Sequence, residues 1–139
     1  MSDTTNTDDT AGRQGGNLPR SRTLSAALFV IAAGVAAQAA LAGMFLSGTG
    51  AARTIHLWIG SLLPYFGIWP ACAAWGQAKD GTISRRWAWA ITATAAGLWA
   101  QNALGHMPFP VTTAIHIPLG VLLFGAALVS GIETRRHRA

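Results

Sequence analysis

The chain has 139 residues, of which 51% are hydrophobic and 11% charged, whereas about 25% of residues are charged in an average soluble domain. All five acidic residues lie in the tails or in one central loop, so four long apolar stretches contain no acid: residues 24–47, 54–77, 87–105 and 111–132. Each is long enough for the roughly 20 residues that cross a bilayer core, the third only just. This composition argues against a soluble bundle, whose helices would carry polar outer faces.

The net charge of +5 comes from basic residues whose distribution indicates a membrane topology rather than a nucleic-acid-binding surface. Nine of the ten basic residues precede the first stretch, separate the second from the third or follow the fourth, and only Arg53 falls on the other side. The positive-inside rule then places both termini in the cytoplasm. We therefore predict a multi-pass protein of the cell membrane, with the lipid bilayer as a partner and no nucleic acid.

The predicted fold is all-α, an integral membrane up-down four-helix bundle built from two parallel two-helix repeats. Residues 1–22 are predicted to be a disordered cytoplasmic tail, because they are polar and almost free of large apolar side chains. Residues 23–133 hold the four transmembrane helices. Residues 134–139 form a basic cytoplasmic tail.

The first two predicted helices are joined by the external loop 48–53. The first helix is rich in Ala and Gly, which let membrane helices approach closely, and its one strongly polar residue is Gln38. The second carries His56 near its outer end and contains Pro64 and Pro70, which we expect to kink it.

A charged cytoplasmic loop precedes the third predicted helix, which carries Gln101 and Asn102 near its outer end. A short external loop follows, and the fourth helix then begins near Val111 and contains His116. Gln38, His56, Gln101, Asn102 and His116 therefore gather in the outer half, which places any site toward the extracytoplasmic face.

A six-residue phrase occurs twice, as Ile-His-Leu-Trp-Ile-Gly and as Ile-His-Ile-Pro-Leu-Gly. Each copy places a histidine four residues before a glycine, His56 before Gly60 and His116 before Gly120. Residues four apart share one face of a helix, so each histidine has a bare patch beside it. A flat ligand could lie against such a face.

The repeat also includes the preceding helices. Gln38 lies 18 positions before His56 and Gln101 lies 15 positions before His116, so the halves differ only in loop length. A repeat of two helices preserves direction and gives parallel halves related by an axis along the membrane normal. The two histidines are then expected at similar depth, on helices that run the same way.

We interpret His56 and His116 as axial ligands of one non-covalent haem b, because two imidazoles suit low-spin haem iron. A copper site that recruits His106 and Met107 is an alternative, and so are histidines that only bond to neighbouring helices. Arg53 is a candidate partner for a haem propionate, or an ordinary interfacial arginine. Gln38 and Gln101 are candidate donors to an imidazole or propionate. Alternatively, they only form hydrogen bonds between helices.

The pattern Gln-x-x-Leu-(x)-Gly followed by His-x-x-x-Gly, repeated once over residues 25–131, resembles one four-helix half of haem A synthase. It is similar also to small four-helix membrane proteins of the b-type cytochrome plan. The resemblance implies a haem held by histidines of the second and fourth helices, here His56 and His116. The family's catalytic half has a glutamate three residues before a ligating histidine, where this chain has Arg53, and the external cysteine pair of many members is absent. The resemblance thus implies haem binding without synthesis of haem A.

With both axial positions filled, the expected function is electron transfer, alone or as a subunit of a membrane oxidoreductase, rather than that of a stand-alone enzyme. A membrane redox partner or a homo-oligomer is expected. A haem carrier or sensor is a second interpretation. A cofactor-free membrane interaction subunit, whose histidines only join helices, is a third.

Overall fold

The structure is a computed structural model that describes residues 18–136. These residues are all-helical, and their four helices are α1 (Leu18–Leu46), α2 (Gly50–Lys79), α3 (Arg85–His106) and α4 (Pro110–Arg136). The prediction of an all-α chain with four helices is confirmed for this part of the chain.

The helix ends differ from the expected ones by a few residues. α1 begins at Leu18, inside the predicted tail 1–22, and the rest of that tail lies outside the described residues. α2 begins at Gly50, so Arg53 belongs to its first turn rather than to a loop. α4 continues to Arg136, past the predicted end at residue 133, because no helix-breaking residue intervenes.

Short connections bring consecutive helices side by side. Gly48 and Gly81 follow α1 and α2 at φ of 99° and 72°, a backbone conformation that glycine adopts without steric cost. α1 and α3 each contact both α2 and α4, whereas no Cα atoms approach within 8 Å across either diagonal of the described helices. The Ser25 hydroxyl donates to the Gly131 carbonyl at 2.7 Å, joining the start of α1 to the end of α4. Neighbouring helices therefore run in opposite directions.

The two ends of this helical array differ in charge and in packing. We call the end that carries Arg22, Lys79, Arg85 and Arg135 the basic end, and the opposite end, with the loops 47–49 and 107–109, the histidine end. Buried hydrophobic residues concentrate in the basic half and the middle, in two clusters: Leu24, Leu28, Ala74, Ile83, Ala88 and Ile91, then Ile31, Ala32, Val35, Leu98, Leu123 and Ala127. Toward the histidine end only Ala52, Pro64 and Thr112 are buried. The helices are thus tightly packed in one half and open in the other.

The outward faces of the helices are apolar. Large hydrophobic side chains such as Trp58, Phe66 and Val121 are 61–69% exposed. Several polar side chains of the described helices are buried instead: Ser25, Gln77, Thr94, Thr112, Ser130 and Thr134. This distribution is the reverse of that in a soluble bundle.

Three of the described helices, Arg22–Leu46 of α1 together with α2 and α4, are long and apolar enough to cross a membrane, whereas the sequence predicts four. α3 differs because Thr92, Thr94, Gln101 and Asn102 lower its hydropathy. These polar residues are buried or half-buried, whereas the exposed positions between Trp87 and Leu104 are all Ala or Trp: Trp89, Ala93, Ala96, Trp99, Ala100 and Ala103. The outer face of α3 is therefore as apolar as those of its neighbours.

Candidate functional site at the histidine end

His56 of α2 and His116 of α4 face each other across the open half of the array. Their ring centroids lie 6.4 Å apart and the ring planes are inclined at 61°. Both side chains are half-buried. The backbones of α2 and α4 remain more than 8 Å apart at every described Cα pair, so these two imidazoles reach across the diagonal.

Each histidine exchanges two hydrogen bonds with the glutamine of its own half. Gln38 Nε2 donates to the carbonyl of His56 at 2.9 Å, and His56 Nδ1 lies 3.0 Å from the carbonyl of Gln38. Gln101 and His116 repeat the arrangement at 2.9 Å and 3.1 Å. A carbonyl oxygen only accepts, so each Nδ1 is the donor, and in the neutral form of either imidazole the lone pair is on Nε2.

The glycine of each repeated phrase makes room for that glutamine. A Cβ atom at Gly60 would lie 2.8 Å from Gln38 Nε2, and one at Gly120 would lie 3.1 Å from Gln101 Nε2. From the sequence, these glycines are expected to make room for a flat ligand. Both do line the cavity described below, but the contact that requires glycine is with the amide of the facing helix.

The repeat also includes a glycine and a leucine in each half. Gly34, four residues before Gln38, packs on Leu63, where an added Cβ would lie 2.8 Å from a leucine methyl. Gly97, four residues before Gln101, packs in the same way on Leu123, where an added Cβ would lie 2.5 Å from a leucine methyl. The signal was present as Gly-x-x-x-Gln in the first helix of each half and His-x-x-x-Gly-x-x-Leu in the second.

A cavity of about 530 Å³ occupies the open half and is lined by all four helices. Pockets for small molecules and cofactors typically measure roughly 300–1,000 Å³. The lining is mainly apolar, with small residues along α1, and its polar side chains are Gln38, His56, Gln101, Asn102, His106 and His116. The amide oxygens of Gln38 and Gln101 are buried and have no hydrogen-bond partner within the described chain, so each half also keeps one unused acceptor beside the cavity.

Most of the predicted site residues gather here, with one exception. Gln38, His56, Gly60, Gln101, His116 and Gly120 all line the cavity. Arg53 does not; its side chain is exposed on the first turn of α2. The spacing of three residues predicts Arg53 on the same side of α2 as His56, but only the histidine lines the cavity.

A different residue packs against each imidazole ring. The ring of Phe45 meets His56 edge-on at a centroid distance of 5.4 Å. Gly105 lies beside His116, where a Cβ would come within 3.1 Å of the ring carbon Cε1. Neither residue is identifiable from the sequence, because these contacts cross between helices.

Substitution of Gly60 by alanine is expected to lower stability by about 1 kcal/mol. The new methyl group displaces the Gln38 amide and breaks its bond to His56, which outweighs the helix propensity gained by alanine. Gly125→Ala is the control, because no atom lies within 4 Å of an added Cβ, and it should gain about 0.5–1 kcal/mol. Unfolding in mixed micelles measures the stability of both variants. Equal changes in the free energy of unfolding would show that the contact with Gln38 does not constrain Gly60.

The described residues contain no group of three or more His, Cys, Asp or Glu side chains placed to hold a metal ion. What they contain is one pair of imidazoles, each fixed through Nδ1, on either side of a mainly apolar cavity. No protein-family model, curated protein or solved structure matches the chain.

Proposed function

We propose that this chain is a membrane haem b-binding protein in which His56 and His116 are the axial ligands of one non-covalently bound haem. The observation that supports it is the distance between the two rings. A ligating imidazole nitrogen lies about 2.0–2.1 Å from its metal and the ring centre about 1.1 Å behind it, so two imidazoles opposed on one ion have centres about 6.3 Å apart. The observed distance is 6.4 Å.

The hydrogen bonds of the histidines fit the same role. A ligating histidine usually donates its second ring nitrogen to a carbonyl or carboxylate, which fixes the tautomer and the ring orientation. Here the carbonyls of Gln38 and Gln101 receive those bonds. Haem supplies four ligands of its own and needs only two from the protein, whereas a bare copper or zinc ion would need a third or fourth that the described residues do not gather.

The proposal includes insertion in the cell membrane as an up-down bundle of four helices. The apolar outer faces and the burial of several polar side chains support it, and α3 takes part through its outward Ala and Trp side chains. The basic end would face the cytoplasm with both termini, so the cavity would lie near the extracytoplasmic surface. The two helix pairs would be the parallel repeats predicted from the sequence.

When bound, haem would supply a one-electron redox change. The protein would hold both axial positions through His56 and His116, which leaves no open iron site for oxygen or substrate. The glutamines would fix the imidazoles, and the apolar walls would limit water around the ring. Transfer of electrons to a membrane partner or to a subunit of an oxidoreductase is the function that this arrangement favours.

The direct test is the absorbance spectrum of the protein purified from haem-replete cells. We expect a Soret band and, on reduction, a sharp α band typical of low-spin iron with two imidazole ligands. A colourless preparation that also fails to bind added haem would overturn the proposal and leave a cofactor-free interaction subunit as the better interpretation. Rapid transfer of the haem to an acceptor apoprotein would instead favour a carrier or sensor over an electron relay.

A further inference from the structure

The two halves differ where their first helices line the cavity. The residues one and five positions after Gln38 are Ala39 and Gly43, and those one and five positions after Gln101 are Asn102 and His106. All four line the cavity. One wall is therefore small and apolar, and the equivalent wall on α3 carries an amide and an imidazole.

The orientation of His106 is fixed by its own helix. Its Nδ1 lies 2.8 Å from the carbonyl of Asn102, one turn earlier, so Nδ1 donates and Nε2 remains for another partner. An imidazolium donates from both nitrogens, and the amide of Asn102 offers two further N–H groups. On the α1 wall, Ala39 and Gly43 offer no side-chain donor at all.

We propose that Asn102 and His106 bind the carboxylates of the ligand in this cavity, and so determine which way round it lies. The inference rests on the proposed function, because haem carries its two propionates on one edge and apolar substituents on the other. A carboxylate that leaves water needs charged or amide donors, and beyond the glutamine that both halves share, the α3 wall adds two such side chains while the α1 wall adds none. The propionate edge would then lie against α3 and the apolar edge against Ala39 and Gly43. The exposed Arg53 would not contact the ligand.

The test compares haem with haem dimethyl ester, in which both carboxylates are blocked, in titrations of the full-length apoprotein. The wild-type chain should bind haem more tightly than the ester. The double variant Asn102→Leu, His106→Leu should lose about 10- to 100-fold in affinity for haem, the effect of removing hydrogen bonds to a charged group. Its affinity for the ester should not change, which also shows that it folds.

Arg53→Ala is the matched control and should retain the full preference for haem. A preference that survives in the double variant, or that disappears in Arg53→Ala instead, would overturn the inference while the low-spin spectrum left the proposed function intact. Failure of the wild-type chain to give a low-spin spectrum with either compound would overturn both.

Discussion

Replacement of either His56 or His116 by glycine is expected to abolish the sharp α band of the reduced protein. Each substitution removes one of the two nitrogens that the proposed site offers to iron, and no third His, Cys, Asp or Glu lies close enough within the described residues to complete a metal-binding group. The remaining imidazole would hold haem as a weakly bound five-coordinate species or lose it. Absorbance of the dithionite-reduced protein measures the change.

Added imidazole should restore the band in both glycine variants, because glycine leaves the space of the missing ring open. This rescue separates loss of a ligand from loss of folding. His106→Ala, measured at saturating haem, is the control, since His106 lines the same cavity but is assigned to the carboxylates rather than to the iron, and it should keep the band. Persistence of the band in His56→Gly or in His116→Gly without imidazole would contradict ligation by this pair.

The largest effect on stability is expected from Gly67→Leu, at about 3 kcal/mol. Gly67 is buried where α2 meets α3, and a Cβ there would already lie 3.2 Å from the Ala95 Cβ and 3.3 Å from its Cα. A backbone atom cannot rotate away, so a leucine must push the two helices apart and open the packing around Leu98. Overpacking of this kind typically costs 1–3 kcal/mol, occasionally more.

Gly76→Leu, on the same helix, is the matched control. No atom lies within 4 Å of an added Cβ at this exposed position, so the change should stay within about 0.5–1 kcal/mol of the wild type and favour the helix. Equilibrium unfolding in mixed micelles compares the two variants. Equal stability of both would mean that α2 and α3 do not pack as closely as the structure has them.

The four helices and the correspondence between the two halves of the chain are predictable from local patterns in the sequence. Four acid-free apolar stretches identified four helices, and the repeat of Gln38 and His56 in Gln101 and His116 identified the residues that meet at the cavity. These features are visible because each depends on spacing within one helix or on comparison of two copies.

Features that depend on the packing of separate helices could not be predicted in the same way. The contact that requires Gly60 comes from Gln38 on another helix, and Arg53 lies exposed outside the cavity although it precedes His56 by only three residues. The average hydropathy of α3 also hides its apolar outer face, which becomes visible only when buried and exposed positions are separated. The spacing of residues along a single helix does not contain this information.

The matched hydrogen bonds of the two halves have a consequence for how such a site can be assembled. One helix pair with its glutamine, histidine and two glycines contains everything that half of the site needs, so two identical copies meeting about a two-fold axis would suffice to build it. Fusion of the copies in one chain removes the requirement for identity. One copy can then keep a small apolar wall while the other acquires Asn102 and His106, and a symmetric scaffold can hold an asymmetric molecule in a single orientation.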